Sequence, residues 1–153
     1  MKEETGGAEP FIQFIADELI PFVEKKYRTT SYRSLIGHSY AGLFTINTLI
    51  FHPQLFENYI AIDPSLDWDN QKLMKEAKSA LENQDFTGKS LFVTLATGQL
   101  HMLDEDVTMA NVQQDTSEYS LFARSIIEFS EFAEDLSQKG LKFSWKYYPE
   151  DYH

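Results

Sequence analysis

The sequence of 153 residues contains no cysteine. Disulfides, thiolate metal sites and a cysteine nucleophile are therefore excluded. Basic runs are also missing: 13 Lys and Arg face 24 Asp and Glu, for a formal net charge of -11. A surface of that sign repels nucleic-acid phosphates and anionic lipid, so no nucleic-acid partner is expected, and Lys25-Lys26 reads as a solvated helix end. No apolar stretch approaches the roughly 20 residues that a membrane helix needs. No Gly-x-Gly-x-x-Gly occurs, which removes the dinucleotide fingerprint. The four histidines include no pair at ligand spacing, so neither a metal nor another cofactor is expected. Met1 to Glu9, with Lys2, Glu3, Glu4 and Gly6-Gly7, lacks the pattern of a secretory leader. None of these absences bears on compartment or oligomeric state.

What is present is an ordinary globular mixture, 42% hydrophobic and 24% charged, far from a disordered composition. The length suits one domain with a sizeable core. Apolar residues Phe11, Phe14, Ile15, Leu19, Phe22 and Val23 recur at spacings of three and four, which predicts a helix from Pro10 to Tyr27, kinked or divided at Pro21. Short apolar runs predict strands at 33–37, 59–62, 90–96 and 141–148. Helices are expected at 41–51, 71–81 and 117–138, the last with a stripe of Phe122, Ile126, Phe129, Ala133 and Leu136. A polar loop fills 99–115. Strands alternating with helices predict the α/β class, with a mostly parallel sheet and helices on both faces.

The densest chemical signal is Gly37-His38-Ser39-Tyr40-Ala41-Gly42. A strand precedes it and an apolar helix follows. This is the context of the nucleophile elbow Gly-x-Ser-x-Gly, with Ala41 in the place of the second glycine. The elbow holds its serine in a strained turn, so neighbouring side chains must be small. Alanine meets that need. Ser39 is thus the candidate nucleophile, and the backbone N–H of Tyr40 a candidate oxyanion donor. The second donor is expected from an earlier loop, before this chain begins.

A serine nucleophile needs a base. His38 adjoins Ser39 and must point elsewhere, His52 reads as a cap at a helix end, and His101 lies in the polar loop. His153 follows the last strand, where the order Ser, acid, His places the base. The acid belongs after the third strand, in the loop that carries Asp104, Glu105, Asp106 and Asp115. Proximity to the strand favours Asp104. Asp115 is a rival that also reads as a helix N-cap, and a Ser–His dyad without an acid stays open. These parts predict attack of Ser39 on an ester carbonyl, His153 taking the proton, and an acyl-enzyme resolved by water.

Beyond the elbow, a series of segments is similar to the esterase family of α/β-hydrolases that includes esterase D-like enzymes and siderophore esterases. The segments are Thr5-Gly6-Gly7-Ala8-Glu9-Pro10-Phe11, Glu18-Leu19-Ile20-Pro21 with Tyr27, and Asp63-Pro64-Ser65-Leu66-Asp67-Trp68-Asp69. The resemblance covers nearly the whole chain and is closest to the siderophore-esterase-like branch. It implies a serine carboxylic ester hydrolase acting on a small-molecule ester, such as a catecholate siderophore lactone. It makes Ser39 the nucleophile, matches Glu150-Asp151-Tyr152-His153 to the segment ending in the catalytic histidine, and places Trp68 near the substrate cleft. Gln99 after Gly98 departs from the pattern, since many members carry an acid there. Two other readings remain beside it: a thioesterase or S-formylglutathione hydrolase-like enzyme, and a non-catalytic fragment. The resemblance also implies that residues 1–153 form a single but incomplete α/β-hydrolase domain, lacking N-terminal strands and the last helix. Its first strand is then an exposed edge, and weak or no hydrolysis is expected of the chain alone.

Overall fold

The computed structural model describes residues 7–81, 84–96 and 118–151, and the chain divides into two units, Met1–Arg33 and Ser34–His153. Asp104, Asp106, Asp115 and His153 lie outside the described residues, as does the polar loop at 99–115.

In the first unit, helix α1 (Ala8–Phe14) runs into a wide π-type turn, Ile15–Leu19, and then α2 (Ile20–Lys26). Pro21 explains the division. It has no N–H to donate, and its ring collides with the carbonyl four residues back in a regular helix. Opening the turn relieves this, and the N–H of Ile20 donates to Ile15 O, five residues back. The inserted residue shifts the helical phase by roughly 100°. The apolar stripe read from the sequence therefore does not stay on one face. Ile12 and Ile15 are buried, whereas Phe11, Phe14, Leu19 and Phe22 are exposed. Lys25 and Lys26 occupy the last turn of α2, where the helix dipole favours cations, and Arg33 pairs with Glu24.

The second unit is built on four parallel strands in the order β1 (Ser34–His38), β2 (Asn58–Ile62), β3 (Ser90–Ala96), β4 (Lys142–Tyr148). Between them run α3 (Tyr40–Phe51), α4 (Trp68–Leu81) and α5 (Glu118–Asp135). The register sets Leu35, Tyr59, Leu91 and Phe143 side by side, and Gly37, Ala61, Val93 and Trp145 one step of two residues further. Side chains alternate along a strand, so these residues share one face. It is the face that meets α3, because a Cβ on Gly37 would point into Ala41 and Thr45. Helix α3 packs on β1 and β2, α5 on β3 and β4, and α4 touches both helices. Tyr59, Ala61, Leu91, Val93 and Leu95 are buried beneath this layer, together with Ile46, Leu49, Ile126, Phe129 and Ala133.

Helices on both faces were expected from the βα alternation. Among the described residues of this unit, the helix layer lies on one face. On the other, Ile36 is 60% exposed, and Ile60 and Phe92 are half-buried. The alternation of strands and helices predicts crossovers but does not say on which side each one falls.

Helix α4 also departs from expectation. The helix expected at 71–81 is preceded by a kink, in which Asp69, Asn70 and Gln71 have φ of 49, 56 and 58°. This is one turn in the left-handed region, which L-residues seldom adopt. The turn is tied down on both sides. Gln71 Nε2 donates to Ser125 Oγ of α5 at 2.8 Å, and Lys75 Nζ donates to Asn70 O at 2.7 Å.

Candidate active site

Ser39 sits between the last residue of β1 and the first of α3, with φ 56° and ψ −117°. Such a conformation in a residue with a Cβ costs on the order of 1–3 kcal/mol and persists only where neighbours over-determine it. Here they do. The N–H of Ser39 donates to Ile62 O at 2.9 Å, and its carbonyl accepts the N–H groups of Leu43 at 3.0 Å and Ser65 at 3.2 Å. Both ends of the strained peptide unit are thereby fixed to the end of β2 and to the first turn of α3.

The small residues of the motif follow from the same turn. A Cβ at position 37 would lie 2.0 Å from Ala41 O and 2.6 Å from Thr45 Oγ1. One at position 42 would lie 3.0 Å from Pro64 Cα and 3.1 Å from Ile62 O. The second close approach therefore falls on Gly42, and the Cβ of Ala41 is accommodated because that residue is exposed.

The segment after β2 forms an arch over Ser39. Asp63, 3% exposed, has φ 44°. Its Oδ1 accepts the hydroxyl of Thr94 at 2.8 Å and the N–H of Ala96 at 2.9 Å, while its own N–H donates to Thr94 Oγ1 at 3.1 Å. The carboxylate thus latches the end of β2 to the end of β3. Two residues on, the Oγ of Ser65 lies 3.2 Å from the Oγ of Ser39. The N–H of Trp68 then donates to Ser65 O at 3.2 Å, closing the arch.

Tyr40 is the first residue of α3, so its N–H has no acceptor within the helix and is available at the elbow. Its ring meets Trp68 edge-on, centroids 5.0 Å apart and planes at 83°. The rings are 60% and 46% exposed, so Trp68 is a surface residue beside the serine and not a core one. His38 is exposed on the sheet face opposite α3, and the backbone of His52 ends that helix by donating to Thr48 O at 2.8 Å.

The structure therefore brings Ser39, Tyr40 and Trp68 together at the carboxyl edge of the sheet, where parallel α/β folds place their sites. His153 and Asp104 belong to stretches that follow β4 and β3, whose last residues Tyr148 and Ala96 are paired at that edge. The family resemblance set the Pro64-Ser65-Leu66-Asp67-Trp68-Asp69 segment near the active-site face, but not the contact of Ser65 with Ser39 or the latch made by Asp63. A serine three residues past the end of the strand beside the elbow strand is the signal that marks the contact. Among the described residues, no group of three or more His, Asp or Glu side chains is placed to hold a metal ion, and no helix is long and apolar enough to cross a membrane.

Comparisons with known proteins bear on the family and the fold. The Esterase family model, whose description reads "Putative esterase", matches residues 1–124. The ferri-bacillibactin esterase BesA of Bacillus subtilis is 30% identical over 133 residues, which is 85% of this chain and 46% of that protein. Among solved structures, an IroE-like serine hydrolase from Shewanella oneidensis superposes with a TM-score of 0.78 at 33% identity, covering 96% of this chain and 43% of that one. The siderophore hydrolase EstA of Aspergillus nidulans does so with a TM-score of 0.75 at 27% identity, covering 95% and 52%. The chain spans about half the length of these proteins. Its parallel sheet with flanking helices is of the α/β-hydrolase type, and the chain belongs to this esterase family.

Proposed function

We propose that this chain is the nucleophile-bearing part of a serine ester hydrolase whose substrate is an ester-linked siderophore. The observation that carries the reading is the backbone of Ser39, held at φ 56° and ψ −117° between a parallel strand and a helix. Membership of the esterase family supports the reaction class. The names of the relatives, a ferri-bacillibactin esterase and a siderophore hydrolase, support the substrate class.

In this reading Ser39 Oγ attacks the ester carbonyl carbon as its proton passes to His153. The carbonyl electron pair moves onto oxygen, and the N–H of Tyr40 donates a hydrogen bond to the oxyanion so formed. The tetrahedral intermediate collapses, the alcohol leaves with the proton from His153, and an acyl-enzyme on Ser39 remains. Water, deprotonated by His153, attacks that ester, and Ser39 takes back the proton as the acid departs. Asp104, the candidate carboxylate nearest β3, orients the imidazole. Tyr40 and Trp68 line the entrance with two exposed aromatic faces, suited to a planar aryl group.

The test is hydrolysis of ferri-bacillibactin and of a simple aryl ester by the full-length protein carrying this chain. Turnover of both, abolished in Ser39→Ala, supports the proposal. Turnover unaffected by Ser39→Ala refutes it.

A further inference from the structure

We infer that the hydroxyl of Ser65 is a catalytic hydrogen-bond donor to the nucleophile oxygen of Ser39. This rests on the esterase reading above and adds a residue to its machinery.

The two hydroxyl oxygens are 3.2 Å apart, and either one is able to donate. A serine hydroxyl has one proton and two lone pairs. In the reacting enzyme the Ser39 proton is committed to the base, so the bond between the two serines must run from Ser65 to Ser39. Ser39 Oγ then has one lone pair holding the Ser65 hydrogen and the other free for the carbonyl carbon. The bond sets the direction of attack as well as the charge on the attacking atom.

Ser65 is built to stay in that place. It is 8% exposed, so water competes poorly for its hydroxyl. Its N–H donates to the carbonyl of Ser39, which joins the two residues through main chain and side chain together. The arch that carries it is anchored by the Asp63 carboxylate to Thr94 and Ala96 of β3. It is pressed against α3 where Pro64 meets Gly42, and the next side chain, Leu66, is fully buried. A hydroxyl held this firmly needs no reorganisation when charge develops beside it.

Charge develops on Ser39 Oγ twice. During acylation the proton moves to the imidazole while the bond from Oγ to carbon forms, and the carbonyl pair moves onto the carbonyl oxygen. During deacylation the bond from carbon to Oγ breaks, its electron pair returns to Oγ, and the imidazolium returns the proton. At both moments the bond from Ser65 becomes charge-assisted and strengthens. In the ground state it joins two neutral hydroxyls. Its benefit is therefore differential and belongs in kcat, with little in KM.

The experiment uses the full-length protein with Ser65→Ala, Ser65→Thr and Ser39→Ala, each checked for an unchanged unfolding midpoint. An aryl ester gives kcat and KM, and a fluorophosphonate gives the rate of covalent modification. Ser65→Ala is expected to lower kcat and the labelling rate by about tenfold or more, the effect of losing one hydrogen bond to a charged group. KM stays within about twofold, and Ser65→Thr, which keeps the hydroxyl, recovers most of the loss. Rates within twofold of wild type in Ser65→Ala overturn the inference. Equal losses in Ser65→Ala and Ser65→Thr also overturn it, because the hydroxyl is then not the agent. Failure of the underlying esterase reading looks different: the wild-type protein is not labelled, or Ser39→Ala is labelled as fast as wild type. The inference falls with it.

Discussion

The carbonyl oxygen of Ala41 occupies the space where a side chain on Gly37 would begin, 2.0 Å from an ideal Cβ. The atom in the way is main chain, at the entry to α3, and no rotamer change moves it. Gly37→Ala must therefore shift the elbow itself. We expect a loss of about 3 kcal/mol or more, at the upper end of what overpacking costs, and loss of Ser39 reactivity. Gly42→Ala meets Pro64 at 3.0 Å and needs a displacement of only a few tenths of an ångström. Its expected loss is smaller, about 1 kcal/mol. Urea unfolding of the two variants checks the order.

The Asp63 latch gives a second expectation. Asp63→Ala leaves the N–H of Ala96 and the hydroxyl of Thr94 without their acceptor in a buried place. Unsatisfied buried groups cost about 1–3 kcal/mol each, so for two groups a loss of roughly 2–6 kcal/mol is expected. Asp63→Asn keeps a carbonyl oxygen at the same position and is expected to lose about half as much or less. Denaturant midpoints separate the two. Equal stability of Asp63→Ala and wild type would show that the latch contributes nothing.

The exposed ring pair makes a third. Tyr40→Ala and Trp68→Ala remove side chains that are 60% and 46% exposed, so stability is expected to change by about 0.5 kcal/mol or less. Losing an aromatic contact of about 0.5–1.5 kcal/mol to an aryl substrate raises KM by about two- to tenfold in either variant. Kinetics on an aryl ester and an acetyl ester check this. A rise in KM on the aryl ester alone places both rings on the substrate path, while unchanged KM on both esters removes them from it.

A fourth concerns the open sheet face. Ile36, with Ile60 and Phe92 alongside in register, presents an apolar surface on the side away from α3. Contiguous exposed apolar surface drives association. The isolated 153-residue chain is expected to self-associate, and Ile36→Lys, at a position 60% exposed, is expected to reduce this without loss of fold. Sedimentation of the two forms, alongside circular dichroism, measures both effects.

The elbow was legible in the sequence because its requirements are local. Gly37, Ser39 and Gly42 lie within six residues, and the strand before and helix after them carry their own periodicities. The four strands were legible for the same reason, and β3 coincides with its expected span. The features missed depend on partners distant in the chain. Asp63 finds Thr94 31 residues away, and Ser65 finds Ser39 26 residues away. No window shorter than the βα repeat brings either pair into view. The left-handed turn at Asp69, Asn70 and Gln71 was hidden because it contains no glycine; it is held by tertiary bonds, including the one from Gln71 to Ser125. The wide turn before Pro21 was foreseen as a break, but its phase shift was not, and that shift carried Leu19 and Phe22 away from the buried side of Ile12 and Ile15.

The most direct test of the account is to treat the full-length protein with a fluorophosphonate probe and map the modified residue by peptide mass spectrometry. The expected result is a single adduct on the peptide containing Ser39, absent from Ser39→Ala and slowed in Ser65→Ala. An adduct on another residue, or none on folded protein, contradicts it.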